Sequence, residues 1–120
     1  NSMKNKFLEN SNFSLHEGII PFEKFQNSMC LISDWSGISY EYAFTFEKPV
    51  IFIDVPKKIL NPDSNYISLE PIEITNRDKI GHVVNPNNLR KVVEIIENIP
   101  IEIHAAGTCT YIIRTESLCL

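Results

Sequence analysis

The alternation of apolar and polar positions is sharpest between Met29 and Asp54. Met29-Cys30-Leu31-Ile32 is a short unbroken apolar run, and it ends in a polar turn, Ser33-Asp34-Trp35-Ser36-Gly37. Helical spacing follows from Ile38 to about Phe46. Lys48-Pro49 breaks it, and a second apolar run, Val50-Ile51-Phe52-Ile53, closes on Asp54. Two continuous apolar runs around one helix predict a β-α-β unit, whose strands are parallel and buried on both faces. Ligands of such sheets bind outside the carboxyl ends of the strands. Ser33–Gly37 and Asp54 therefore share the rim where function is expected.

The flanking segments are read around this unit. Residues 1–12 are polar and are expected to form a flexible N-terminal segment. Phe13-Ser14-Leu15 suggests a short strand. Pro21 suits the first turn of a helix over Phe22–Ser28, with Phe22 and Phe25 facing the core. After Asp54, Val55–Tyr66 carries two prolines and turn signals, and Ile67–Thr75 reads at best as an edge strand because Pro71 interrupts it. Val83-Val84 reads as a strand. Asn85 as N-cap and Pro86 at the next position start a helix to about Asn98, with Leu89, Val92, Val93 and Ile96 on its apolar face. Pro100 stops it, and Ile101-Glu102-Ile103 offers a last strand. Residues 105–120 form a tail without clear periodicity, in which Tyr111-Ile112-Ile113 is one candidate strand. The domain proper thus spans 13–104, an α/β Rossmann-like three-layer domain with a mostly parallel sheet.

Composition narrows the function classes. The 120 residues suffice for one domain, and 43% hydrophobic with 22% charged is an ordinary globular balance. A net charge of -4 argues against a nucleic-acid or anionic-membrane surface, which needs clustered Lys and Arg. It leaves room for a local phosphate site built from backbone N–H groups. No apolar run approaches the ~20 residues of a membrane span. Cys30, Cys109 and Cys119 are scattered, as are His16, His82 and His104, so no metal site is expected, and no cofactor is called for. The odd cysteine count leans toward a reducing compartment.

The turn itself has a chemical rationale. A helix N-terminus presents unpaired N–H groups and roughly half a positive charge. The N–H groups of Ser36, Gly37 and Ile38 would hold a pyrophosphate, the Ser36 hydroxyl would add a hydrogen bond, and Gly37 would admit close approach. Asp34 repels phosphate and is better suited to accept a hydroxyl from a sugar or polyol. Glu41, one turn on, returns to nearly the same face and would meet a ribose hydroxyl. The same residues also admit a purely local reading. Ser36 would then cap the helix, Gly37 fit the turn, Asp34 bond its own backbone, and Glu41 stand in solvent. Trp35 reads more readily as core than as pocket lining.

Leu31-Ile32-Ser33-Asp34-Trp35-Ser36-Gly37, the helix carrying Glu41, and Lys48-Pro49-Val50-Ile51-Phe52 together resemble the donor-binding domain of the CDP-glycerol glycerophosphotransferase family. These enzymes build teichoic-acid and related surface polymers with a GT-B fold of two facing Rossmann-like domains. The resemblance covers roughly Phe25–Pro56 and departs at Gly37, where the family has a second Ser. It implies that this chain is similar to the C-terminal half of a GT-B fold. Asp34, Ser36, Gly37, Ile38 and Glu41 would surround a CDP-glycerol or nucleotide-sugar donor. It also implies a cytoplasmic location, which for a full-length protein includes the inner face of the membrane. The catalytic base and acceptor site would lie in a second domain, so the chain alone would be catalytically silent. A different class remains beside it: a non-catalytic flavodoxin-like module that binds a protein partner or a regulatory nucleotide.

Overall fold

The structure, a computed structural model, describes residues 2–7, 9–57, 70, 72–99 and 111–114. In chain order the elements are α1 (Ser2–Phe7), α2 (Phe22–Asn27), β1 (Cys30–Ser33), α3 (Ile38–Phe46), β2 (Val50–Ile53), α4 (Ile72–Thr75), α5 (Arg77–Ile80), β3 (Gly81–Val84), α6 (Arg90–Glu97) and β4 (Tyr111–Arg114). The four strands form one parallel sheet in the order β3-β2-β1-β4. This is a mixed α/β fold, and β1-α3-β2 is the parallel unit that the apolar runs predict.

Strand alternation divides the core into two layers. Leu31, Val50 and Phe52 point to one face, where they pack with Phe25 of α2 and Tyr42 of α3. Cys30 and Ile51 point to the other, with Met29, Val84 and Ile99, and there Val92, Ile95 and Ile96 of α6 cover them. Helices thus lie on both faces. On α3 the stripe Ile38, Tyr42, Phe46 recurs every four residues and meets the sheet. The helix ends at Glu47, which takes a left-handed conformation (φ 52°) and donates its N–H to the Ala43 carbonyl. Lys48 then reaches back across α2, donating to the Gln26 and Ser28 carbonyls at 2.6 Å each. It neutralises the negative end of that helix. Partial burial lowers the Lys48 pKa.

Several expectations are corrected. Residues 2–7 are helical, and Phe7 stacks on Phe13 at 5.5 Å, so the N-terminal segment has structure of its own. Phe13–Leu15 is not a strand. Phe25 is buried but Phe22 is 61% exposed, its ring tilted against Phe46 with centroids 5.2 Å apart, because the six-residue α2 is too short to bury two turns. Ile72–Thr75 is helical, not an edge strand; the first part of that predicted strand, with Ile101-Glu102-Ile103, lies outside the described residues. Asn85 caps a turn rather than a helix: its Oδ1 accepts from Asn87 N at 2.9 Å and its carbonyl from Asn88 N. The helix starts only at Arg90. That delay rotates its buried face to Val92, Ile95, Ile96 and Ile99, leaving Leu89 and Val93 more than half exposed. The candidate strand at Tyr111-Ile112-Ile113 is present as β4 and pairs with the central β1, so the sheet extends past residue 104.

Candidate functional site at the carboxyl rim

Because all four strands are parallel, their carboxyl ends form one rim. β1 delivers Ser33 to it, opposite Phe52 of β2 on one side and Arg114 of β4 on the other. The chain then turns through Asp34–Gly37 into α3. Ser33, Asp34 and Ser36 are buried, Trp35 half-buried, and Gly37 exposed. The N-cap position of α3 is Gly37, not Ser36, so the capping role expected of Ser36 falls to a residue without a side chain. Among the described residues no backbone carbonyl takes the N–H groups of Ser36, Gly37 or Ile38, whereas those of Ser39 and Tyr40 turn back to Ser36 and Gly37. Gly37 sits at φ −62°, ψ −24°, open to any residue, and a Cβ added there meets no atom within 4 Å. The turn does not need glycine; space in front of it is what glycine keeps open.

Trp35 is not core. Its indole N–H donates to the Val55 carbonyl at 2.7 Å, tying the β1 turn to the segment after β2. Its ring lies under the Arg77 guanidinium at 4.0 Å, with Lys57 at 5.7 Å. Arg77 begins α5, just before β3, and its long side chain reaches the level of Phe52 and Asp54. It stacks 4.9 Å from the Phe52 ring, and its Nη1 donates to Asp54 Oδ1 at 2.9 Å. The partner carboxylate is half-exposed while the guanidinium side chain is 6% exposed. Nε and Nη2 of Arg77 are buried and have no hydrogen-bond partner among the described residues. A buried donor left unmet costs about 1–3 kcal/mol. A cation fixed this deeply with two open donors is therefore poised for an acceptor.

Asp34, Trp35, Ser36, Tyr40, Phe52 and Arg77 together line a small pocket of about 10 Å³. That is room for about one water. The structure thus brings Asp34 and Ser36 to one pocket. Gly37 and Ile38 follow them in the chain but are not among its lining residues, and the Ile38 side chain packs against the core. Glu41 is exposed and does not line the pocket. His16 and His82 are exposed, and His16 Nε2 lies 3.5 Å from the Ser14 hydroxyl. Arg77 escapes sequence reasoning because Asn76-Arg77-Asp78-Lys79 reads as solvated surface, and nothing in its spacing marks the buried member. Among the described residues no cluster of His, Cys, Asp or Glu could hold a metal ion. Burial pushes the Cys30 thiol up to about 12, so it is a core group and not a nucleophile.

A larger hollow, about 260 Å³, lies at the opposite, amino end of the sheet between Ala43, Phe44, Glu47, Lys48, Pro49 and Ile80. It holds none of the rim residues. Among the described residues no helix is long and apolar enough to cross a membrane. No family model, curated protein or solved structure matches the chain.

Proposed function

We propose that the rim at the end of β1 binds the diphosphate of an activated donor, a CDP-alcohol or a nucleotide sugar, as the donor-binding part of a transferase. One observation carries the reading: a nine-residue helix opens on the carboxyl rim of a parallel sheet with a glycine at its N-cap, and among the described residues no backbone carbonyl takes its first N–H groups. Further support comes from the strand order. From β1 the chain runs outward to β2 and β3, then returns to the other side of β1 as β4, an order shared by the first four strands of doubly wound nucleotide-binding sheets. In such sheets the crevice beside the first strand takes the ligand. In this reading the N–H groups of Ser36, Gly37 and Ile38 hold phosphate oxygens, and Asp34 accepts a hydroxyl of the transferred group. The helix N-terminus stabilises the leaving group without a metal: CMP when a CDP-alcohol is attacked at phosphorus, the nucleoside diphosphate when a nucleotide sugar is attacked at its anomeric carbon. Glu41, exposed one turn on, would meet only the outer part of a nucleotide. The base and the acceptor site would come from a second, GT-B-like domain, so the chain alone transfers nothing.

Titration of CDP, CDP-glycerol, UDP and UMP against Trp35 fluorescence tests the reading. Trp35 is the only tryptophan and lines the pocket. The expected result is saturable change with the diphosphates and weaker response to UMP. Ser36→Ala should weaken binding, and so should Gly37→Val. Since a Cβ at position 37 touches nothing, the valine variant should lose no more than about 1 kcal/mol of stability. Silence toward every nucleotide would abandon this function and favour a partner-binding module, to which the exposed Ile19, Phe22 and Phe44 would then belong.

A further inference from the structure

We propose that Arg77 is the anion-binding residue of the rim, taking two oxygens of one phosphoryl group on the Nε–Nη2 edge of its guanidinium. The inference rests on the rim being the binding site, as in the reading above, and adds the positive side chain that reading lacks. The amides of the turn are neutral, and the buried Asp34 carboxylate lines the same pocket. An anion arriving there needs an opposing charge nearby.

Arg77 meets that need in its geometry. Nη1 is committed to Asp54 at 2.9 Å. The two nitrogens without partners, Nε and Nη2, share one edge of the planar group, and their N–H bonds run parallel. That edge matches two oxygens of a phosphate, the fork for which arginine is suited and lysine is not. The Trp35 ring at 4.0 Å and the Phe52 ring at 4.9 Å fix the plane, so the fork is oriented before a ligand arrives. Asp34 and Ser36 line the same pocket, which puts the fork beside the start of α3. The site therefore combines the start of α3 with a buried cation that lines the same pocket and has two donors without a partner; because those donors lie below the surface, a phosphoryl group reaches them only as the pocket opens.

The test follows the Arg77 Nε–H resonance of the ¹³C,¹⁵N-labelled full chain, assigned by through-bond correlation from the Arg77 backbone. The titrants are pyrophosphate, inorganic phosphate, acetate and, at matched ionic strength, sodium chloride. Saturable movement with pyrophosphate and phosphate, and little with acetate or chloride, is the expected result. Arg77→Lys keeps charge but loses the fork, and should weaken pyrophosphate binding at least tenfold by calorimetry. If that variant unfolds, the wild-type resonance decides alone. An immobile resonance, with or without binding elsewhere, overturns the inference, as does lysine binding equally well. Nucleotides that bind while the Arg77 signal stays still would leave the donor reading standing and this inference not. Pyrophosphate that moves it while no nucleotide binds would sustain the inference and remove the donor.

Discussion

Ser28 has a single hydroxyl hydrogen, and it goes to the Phe25 carbonyl at 2.7 Å. Tyr42 Oη lies 2.9 Å from the same Ser28 oxygen, so Tyr42 must be the donor in that pair. Burial pushes the Tyr42 phenol up to about 12, which keeps the proton in place across the neutral range. The two variants are then unequal. Ser28→Ala leaves a buried Tyr42 hydroxyl without its acceptor and should cost about 1–3 kcal/mol. Tyr42→Phe leaves Ser28 bonded to Phe25 and should cost only about 1 kcal/mol. Urea titration of both ranks them; a larger loss for phenylalanine would reverse the assigned direction. Such pairs are invisible in sequence, where Ser28 reads as a helix end and Tyr42 as one aromatic among many. The turn residues were legible because Ser, Asp and Gly between an apolar run and a helix have few other uses. Arg77 was not, since only tertiary packing distinguishes it from its solvated neighbours Asp78 and Lys79.

At the scale of elements, β1, α3 and β2 were legible because an apolar run and a helical repeat are local signals. The start of α6 was not: Asn85-Pro86 carries the same chemistry for a turn as for a helix cap, and only the four residues that follow decide between them. Gly81 illustrates what packing adds. Its backbone is extended, φ −169°, a conformation open to any residue. Yet a Cβ there would run into the Val50 carbonyl oxygen and approach Phe52 Cε2 at 3.2 Å. β3 lies against β2 with Gly81 opposite Val50, so the strand can yield only by pulling its end off the sheet. Gly81→Ala should cost about 1–3 kcal/mol by overpacking, with the loss of amide protection concentrated at the start of β3 in hydrogen exchange. Alanine at wild-type stability would mean that the two strands are farther apart than described.

The whole molecule depends on pairings the sequence does not announce. β4 meets β1 across some eighty residues, and parallel partners at that separation leave no local mark. The reversal of strand order beside β1 exists only through that return. Cys30 of that central strand and Tyr42 of the helix packed on it set the chain's alkaline limit. Burial raises Cys30 from an ordinary 9.0 to about 12 and Tyr42 from 10.0 to about 12. Between those values the unfolded chain has lost protons that the folded chain keeps, so stability falls as pH rises. It is fully present below pH 9, where both states are protonated. Lys48 works in the opposite sense, because burial lowers its pKa and the folded state sheds that proton first. The expected course under reducing conditions is a urea midpoint level to about pH 8.5, declining from pH 9. Cys30→Ala should move the onset up by about one unit, to where unfolded tyrosine begins to ionise. A wild-type midpoint flat from pH 9 to 11, or an onset unchanged in the alanine variant, would mean that the thiol is not sealed between the β1 strand and the α6 layer. The two-faced burial of the sheet would then fail with it.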